Sequence, residues 1–289
     1  MIDKVILGTA QLGMNYGINN YGKISKNSVF EILDYAYKND IRVLDTAEIY
    51  GESLELIGLY LKSNPQKKFK IISKINPRGI TNLKQLSHNI NKSLKILNQD
   101  AIHGYMLHSY KDLKNAPVLY EELQIMKAKG YVNNVGISLY ENFEISDITE
   151  NYSFDFIQIP FNLLDNERKR GEVLRRAKNK LIDVHVRSIF LQGLFFKPYS
   201  DFNDKLQPLM RYLKDMQHIA KIANIDLSTL AIHYALKKDY IDKVIFGVHN
   251  VDQFSNNITS INKNINVPDN KIEEIDVLEE HLLNPYNWN

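Results

Sequence analysis

Eight short apolar runs, each ending at or next to a polar residue, recur along the whole chain, with amphipathic stretches between them. The runs are Lys4 to Gly8, Ile41 to Asp45, Phe69 to Lys74, Gly104 to His108, Asn134 to Ser138, Phe154 to Pro160, Ile182 to Ser188 and Val244 to Gly247. Runs this short and this continuously apolar read as strands buried on both faces, as in a parallel sheet. Between them SVFEILDYAYKN, ESLELIGLYLKS, TNLKQLSHNINKSLKILN and VLYEELQIMKAKG place apolar residues at helical spacing, and Gly130 closes the last. Eight strand and helix units in alternation predict an α/β fold, a (β/α)8 TIM barrel. No proline-rich or glycine-rich linker interrupts the pattern, so residues 1–289 are expected to form a single domain. Beyond the eighth run, VDQFSNNITSIN and NKIEEIDVLEEHLL predict two extra C-terminal helices. The tail NPYNWN, with the lone Trp288, is expected to cap the barrel rather than close over a site.

Composition narrows the class of function. An apolar content of 44% is enough for a substantial core, so the chain is not disordered. Lys and Arg total 36 against 34 Asp and Glu, and a net charge of +2 gives no electrostatic case for nucleic acid or an acidic membrane surface. The local cluster Glu167, Arg168, Lys169, Arg170 reads as a solvated helix face. The absence of cysteine excludes disulfides, zinc thiolate sites and thiol catalysis. The start MIDKVILGTAQ does not look like a secretion signal, and no run approaches the ~18 apolar residues of a membrane span, so a cytoplasmic location is expected.

The chemistry of parallel barrels sits at the carboxyl ends of their strands. Three runs deliver proton-handling residues there: Asp45 and Tyr50 in IRVLDTAEIYGES, Lys74 in FKIISK, and His108 in GYMLHS. If these strands are neighbours the four groups converge, and that set suits proton transfer to or from an oxygen. Each alone has an ordinary structural use, as a packing phenol, a solvated lysine or a turn-capping aspartate. The remaining histidines, His88, His103, His185, His218, His233 and His281, lack partner spacing and read as core or surface residues, so no metal site is expected. No Gly-x-Gly-x-x-Gly follows the first strand, which removes the case for a Rossmann crevice. The longest interval between runs separates Ser188 from Val244 and holds two helical stretches, around His218 and His233; a loop this long at the carboxyl face is expected to shape a pocket.

Taken in order, LGTAQLG, LDTAEIYGESLELIG, ISK, SLKILNQDAIHGYMLHS, GISLY, FIQIPFNLLD and VRSIFLQGLF resemble the successive strand-end motifs of the aldo-keto reductases. The resemblance covers nearly the whole chain. It implies a catalytic tetrad of Asp45, Tyr50, Lys74 and His108 in an NAD(P)H-dependent oxidoreductase that transfers hydride to an aldehyde or ketone. Tyr50 would be the general acid, Lys74 would stabilise its phenolate, Asp45 would keep Lys74 charged, and His108 would orient the carbonyl oxygen. The same resemblance places the nicotinamide carboxamide against Ser138 and Gln158, with Asn162 on the same rim, and puts Arg187, Ser188, Gly247, His249, Gln253 and Asn257 among the cofactor contacts.

Two positions depart from the common pattern. Arg187 stands where many members place an aromatic ring against the nicotinamide; it could stack there, meet the pyrophosphate or bind a substrate carboxylate. GVHNVDQFSNN offers no Arg or Lys between Gly247 and Asn257, so the cofactor is NADP or NAD, without a strong preference expected for the phosphorylated form. The opening GTAQLGMNYGINN is similar to bacterial members associated with surface-sugar pathways, which points to a sugar-derived carbonyl. Two other functions fit the same barrel: a Schiff-base aldolase with Lys74 as nucleophile, and a redox-inert cofactor-binding subunit.

Overall fold

A computed structural model describes residues 1–19, 21–76 and 83–288. Eight parallel strands, β1 (Val5–Gly8), β2 (Val43–Asp45), β3 (Lys70–Lys74), β4 (Ile102–Leu107), β5 (Val132–Ser138), β6 (Phe156–Pro160), β7 (Asp183–Arg187) and β8 (Lys243–Phe246), close into a barrel in sequence order. Closure is made by β1 against β8, with Ile6 opposite Ile245. The surrounding helices are α1 (Ala10–Gly13), α2 (Lys26–Lys38), α3 (Ser53–Ser63), α4 (Leu83–Leu97), α5 (Tyr110–Asn115), α6 (Val118–Ala128), α7 (Asn142–Asn151), α8 (Glu167–Asn179), α9 (Met210–Ile222), α10 (Leu227–Leu236), α11 (Val251–Ile261) and α12 (Asp269–Glu273). The expected start of the α4 segment, Thr81 and Asn82, lies outside the described residues.

The side-chain period of two along each strand sorts the core into two parts. Outward residues such as Leu7, Leu44, Ile71, Ile137, Ile157 and Val184 are buried beneath the helices. In α2, Val29, Ile32, Leu33 and Ala36 recur at helical spacing and are fully buried. Each such Val, Ile or Leu contributes roughly 1.5–3 kcal/mol on leaving water. Inward residues Ile6, Ile72, Met106, Phe156 and Ile245 form a separate apolar plug inside the barrel. The Phe156 ring lies where a Cβ on Gly136 would be, so only glycine lets it cross the barrel there. His185 stacks on that ring at 4.7 Å and joins the plug. One residue pair further along each strand the inward positions turn polar, and the site begins.

Two expectations need correction. The segment expected as the second C-terminal helix forms only α12, followed by a 3-10 turn at Glu280–Leu283. Asn166 Nδ2 donates to the carbonyls of Ile272 and Ile275 at 2.9 and 3.0 Å, taking acceptors that a continuing helix would use, while Ile272, Ile275, Val277 and Leu282 are all buried. The charged start of α8 is not simply a solvated face. Arg170 is buried and held by both oxygens of Asp165, while Arg168 and Lys169 pair with Asp276 and Glu280 of the C-terminal segment. That segment lies along the helix, so Arg170 and much of Lys169 are withdrawn from water, while Arg168 stays exposed as expected. The tail caps by burial: Trp288 is buried and donates to the Leu282 carbonyl at 2.8 Å. Among the described residues no helix is long and apolar enough to cross a membrane.

Candidate active site

At the carboxyl end of the barrel a cleft of about 400 Å³ runs from Asp45 and Tyr50 past Gln158 and Arg187 to Gln253 and Asn257 on α11. Its deep end is organised around one ion pair. Asp45 ends β2 and Lys74 ends β3; the two strands are paired, and inward projection puts Lys74 Nζ 2.5 Å from Asp45 Oδ1, with both side chains buried. Lys74 Nζ also donates to the Thr46 carbonyl at 3.2 Å, and Gln158 Nε2 donates to Asp45 Oδ2 at 2.8 Å. Both carboxylate oxygens are therefore engaged. Burial pulls the Lys74 ammonium below the usual lysine range, and the Asp45 charge opposes that pull.

Tyr50 reaches this pair from the loop between β2 and α3. Lys74 Nζ lies 5.1 Å from the centroid of its ring, and the His108 ring stands edge-on to it at 6.3 Å. Burial, reinforced by the Asp45 charge, pushes the phenol well above its ordinary range, so it holds its proton at neutral pH. Burial and the nearby Lys74 and Arg187 charges pull His108 down to about 4, so the imidazole is neutral, and its Nδ1 has no hydrogen-bond partner among the described residues.

The loop carrying Tyr50 is fixed from two sides. A Cβ on Gly13 would collide with the Tyr50 carbonyl and the Ser53 amide, so glycine at the end of α1 lets the two backbones touch. On the other side the Glu48 amide donates to the Lys74 carbonyl at 3.1 Å, and its carboxylate accepts from the Asn76 amide and the Tyr105 hydroxyl. Thr9, Thr46 and Ser53 join β1, β2 and α3 through a hydroxyl chain at 2.8 to 3.0 Å, and Thr9 also donates to the Asp45 carbonyl. The four residues expected at the site are thus brought together by neighbouring strands and one clamped loop.

The other expected contacts divide. Gln158, Arg187, Ser188, Gly247, His249, Gln253 and Asn257 line the cleft. Ser138 is buried beside Arg187, 3.5 Å from its guanidinium, and is not part of the lining. Asn162 is occupied elsewhere: its oxygen accepts from the amides of Leu164 and Asp165, and its nitrogen donates to the Ser188 carbonyl. Burial lowers the imidazole of His249 from its ordinary range, and its buried Nδ1 has no partner among the described residues.

Several lining residues escaped the sequence reading. Tyr16 and Asn19 come from the loop after β1, and Phe190 and Gln192 from the loop after β7. The two loops are joined across the mouth: Gln192 Nε2 donates to the Tyr16 hydroxyl at 3.1 Å, Asn19 to the Gly193 carbonyl, and the Ile18 amide to the Gln192 carbonyl. Ser188, Leu191 and Gln192 all hold left-handed backbone, which folds the β7 loop back over the cleft at a conformational cost. The available signal was the length of that loop. The tail also reaches the rim, with Tyr286 5.9 Å from Tyr140, whose ring carries the Arg187 guanidinium at 4.3 Å.

An elongated cleft with amide side chains at both ends, one cation between them and buried ring nitrogens lacking partners fits a nicotinamide dinucleotide. Comparison with known proteins agrees. The uncharacterized oxidoreductase YqkF of Bacillus subtilis (strain 168) is 24% identical over 300 residues, covering 95% of each chain. The NADH-specific methylglyoxal reductase of Escherichia coli (strain K12) is 21% identical over 93% of this chain and 92% of its own. An aldo-keto reductase from Bacillus halodurans, solved in its holo form, superposes with a TM-score of 0.80 at 21% identity, covering 96% of this chain and 94% of its own. The sequence itself matches the aldo/keto reductase family over residues 4–280, which spans all eight strands and the whole cleft. The chain therefore belongs to the aldo/keto reductase family and is an NAD(P)-dependent oxidoreductase.

Proposed function

We propose that Tyr50 exchanges a proton with the oxygen of an aldehyde or ketone at the deep end of the cleft, with Asp45, Lys74 and His108 as its partners. The buried Lys74 and Asp45 pair beside the Tyr50 ring carries this reading. A reduced nicotinamide, when bound, supplies the hydride. The chain's own residues do the rest. Tyr50 keeps its proton at neutral pH and can give it to the oxygen as negative charge develops there. Loss of that proton leaves a phenolate close to the Lys74 ammonium, which stabilises it. Asp45 offsets the cost of burying that ammonium. His108, held neutral, donates to the same oxygen and orients it.

On this reading Gln158, Ser188, Gly247, Gln253 and Asn257 hold the cofactor, with Ser138 supporting from below the surface. Gln158 keeps its amide oxygen for a carboxamide donor, since its nitrogen is turned to Asp45. NAD and NADP are accepted comparably, because Arg187 is the sole Lys or Arg among the described lining residues and it lies at the deep end. The aldolase alternative has no support: Lys74 Nζ is buried in an ion pair and bonded to a carbonyl. The test is Tyr50→Phe. Single-turnover reduction is expected to fall ~10²- to 10⁴-fold while reduced cofactor binds within a few-fold of the parent, by fluorescence titration. Turnover above about a tenth of the parent rate would remove Tyr50 from the reaction.

A further inference from the structure

The cleft contains a guanidinium with no counter-ion among the described residues. Arg187 ends β7 beneath the mouth, and its Cζ lies 4.3 Å from the Tyr140 ring centroid. It hydrogen-bonds the Tyr140 side chain, and its other hydrogen bonds are long: 3.3 Å to the Leu139 carbonyl, 3.5 Å to Ser138 and 3.4 Å to Ser188. Charged arginine contacts normally close to about 2.7–2.9 Å. Arg170 shows what satisfaction looks like here, with Asp165 holding it at 2.7 and 2.9 Å. No described carboxylate pairs with Arg187. Asp45, at the same end of the cleft, has one oxygen on Lys74 and the other on Gln158. Lys74 and Asp45 cancel and His108 is neutral, so one positive charge is left over at the reacting end. A partly buried charge that lacks an acidic partner is incompletely solvated, and a ligand that neutralises it recovers part of that cost.

We propose that Arg187 docks an anionic group of the substrate, a carboxylate or a phosphate ester, and so selects acidic carbonyl compounds. The proposal rests on the reading of Tyr50 as the group acting on the carbonyl. Three observations favour substrate over cofactor as the source of the anion. Arg187 reaches Ser138, which stands opposite Gln158 in the register of β5 and β6, and Gln158 in turn holds Asp45, so the guanidinium stands at the end of the cleft where Tyr50 acts. One face of the guanidinium is already covered by Tyr140, so stacking on a second ring is not needed to hold it. Tyr16 accepts from Gln192, and its own proton remains available to a second anion oxygen.

The experiment compares matched carbonyl pairs that differ only in charge: butanal against 4-oxobutanoate, and glyceraldehyde against its 3-phosphate. For the parent, kcat/KM should favour at least one anionic member about ten- to a hundred-fold, the range expected for a charged hydrogen-bonded contact. Arg187→Met should abolish that ratio through KM, and Arg187→Lys, which keeps a charge without the planar fork, should retain part of it. The pair that shows the preference identifies carboxylate or phosphate as the source. Calorimetry with unreactive butanoate and glycerol 3-phosphate adds a readout independent of turnover, with binding to the parent and none to Arg187→Met. If no carbonyl is reduced yet anion binding depends on Arg187, the Tyr50 reading fails and the anion subsite stands. An unchanged anion preference in Arg187→Met, or anion binding that does not require Arg187, overturns the proposal. So does a more than tenfold loss of cofactor affinity with the preference intact, which would assign Arg187 to the dinucleotide.

Discussion

Replacing Asp45 by Asn should destabilise the protein in a way that fades as pH rises. The Lys74 side chain is 2% exposed and that of Asp45 5%, so the substitution leaves a buried ammonium facing neutral groups. Breaking a buried pair from one side typically costs 3–5 kcal/mol, about the size expected here at neutral pH. The protein has one escape, which is to fold with Lys74 neutral. Burial already lowers the folded pKa of Lys74, and removing Asp45 takes away the opposing pull. The unfolded chain then binds more protons than the folded one up to the ordinary lysine pKa, so stability must rise with pH through that window. Deprotonating a lysine of unfolded pKa ~10.4 costs roughly 4.6 kcal/mol at pH 7 and roughly 1.2 kcal/mol at pH 9.5, which caps the penalty at each pH. The gap between parent and Asp45→Asn, measured by urea unfolding without cofactor, should therefore shrink from pH 7 to pH 9.5, by at most about 3 kcal/mol because the lowered Lys74 of the parent gains some stability over the same range. The weakened contact to Gln158 should leave a remainder of about 1 kcal/mol that is independent of pH. A gap that stays constant across this range would show that Lys74 is not the uncompensated charge and that the ion pair is not what holds the deep end of the cleft.

Gly13→Ala should lower the melting temperature and reduce kcat by roughly 10²-fold through misplacement of the phenol, because the new methyl would collide with backbone of Tyr50 and of Ser53 at the start of α3. Parent-like turnover with an unchanged melting temperature would show that this contact does not position Tyr50. Dissociation constants for NADH and NADPH should agree within about tenfold at pH 8, since no Lys or Arg beyond Arg187 lines the described cleft. Burial lowers the imidazole of His249 from its ordinary range, so any rise in NADPH preference from its positive charge should set in at a lower pH than a free imidazole would give. A preference for NADPH near a hundred-fold at pH 8 would mean that a basic side chain from another segment reaches the ribose.

The barrel and the ends of its strands were legible because the information is local and periodic. Each strand alternates, so the residue two positions beyond an interior plug residue must project inward above the plug: Lys74 follows Ile72, His108 follows Met106, Gln158 follows Phe156, Arg187 follows His185 and Gly247 follows Ile245. Once the strands are in order, those positions converge, which is why Asp45, Lys74 and His108 could be named together from the chain; Tyr50, on the loop after β2, is not fixed by strand alternation, and its place among them rested on the family resemblance. Whether a polar residue at such a position serves the ligand or the protein was not legible in the same way. Asn162 and Gln158 look alike in sequence, yet one is spent on its own loop and the other joins Asp45 to the cleft. The start of α8 reads as solvent-facing because nothing near it in sequence shows the C-terminal segment lying over it. α12 stops early because Asn166, distant in the chain, takes its carbonyls.

The surroundings of Arg187 belong to the same class. Tyr16, Tyr140 and Tyr286 reach the mouth from the loop after β1, the stretch after β5 and the tail, and no periodicity links those three positions. The sequence determined which groups stand at the strand ends, because a strand's alternation is a property of consecutive residues. The tertiary structure alone decided that one of those groups, Arg187, stands there without a counter-ion, because a partner is found or missed only when segments far apart in the chain are brought into contact.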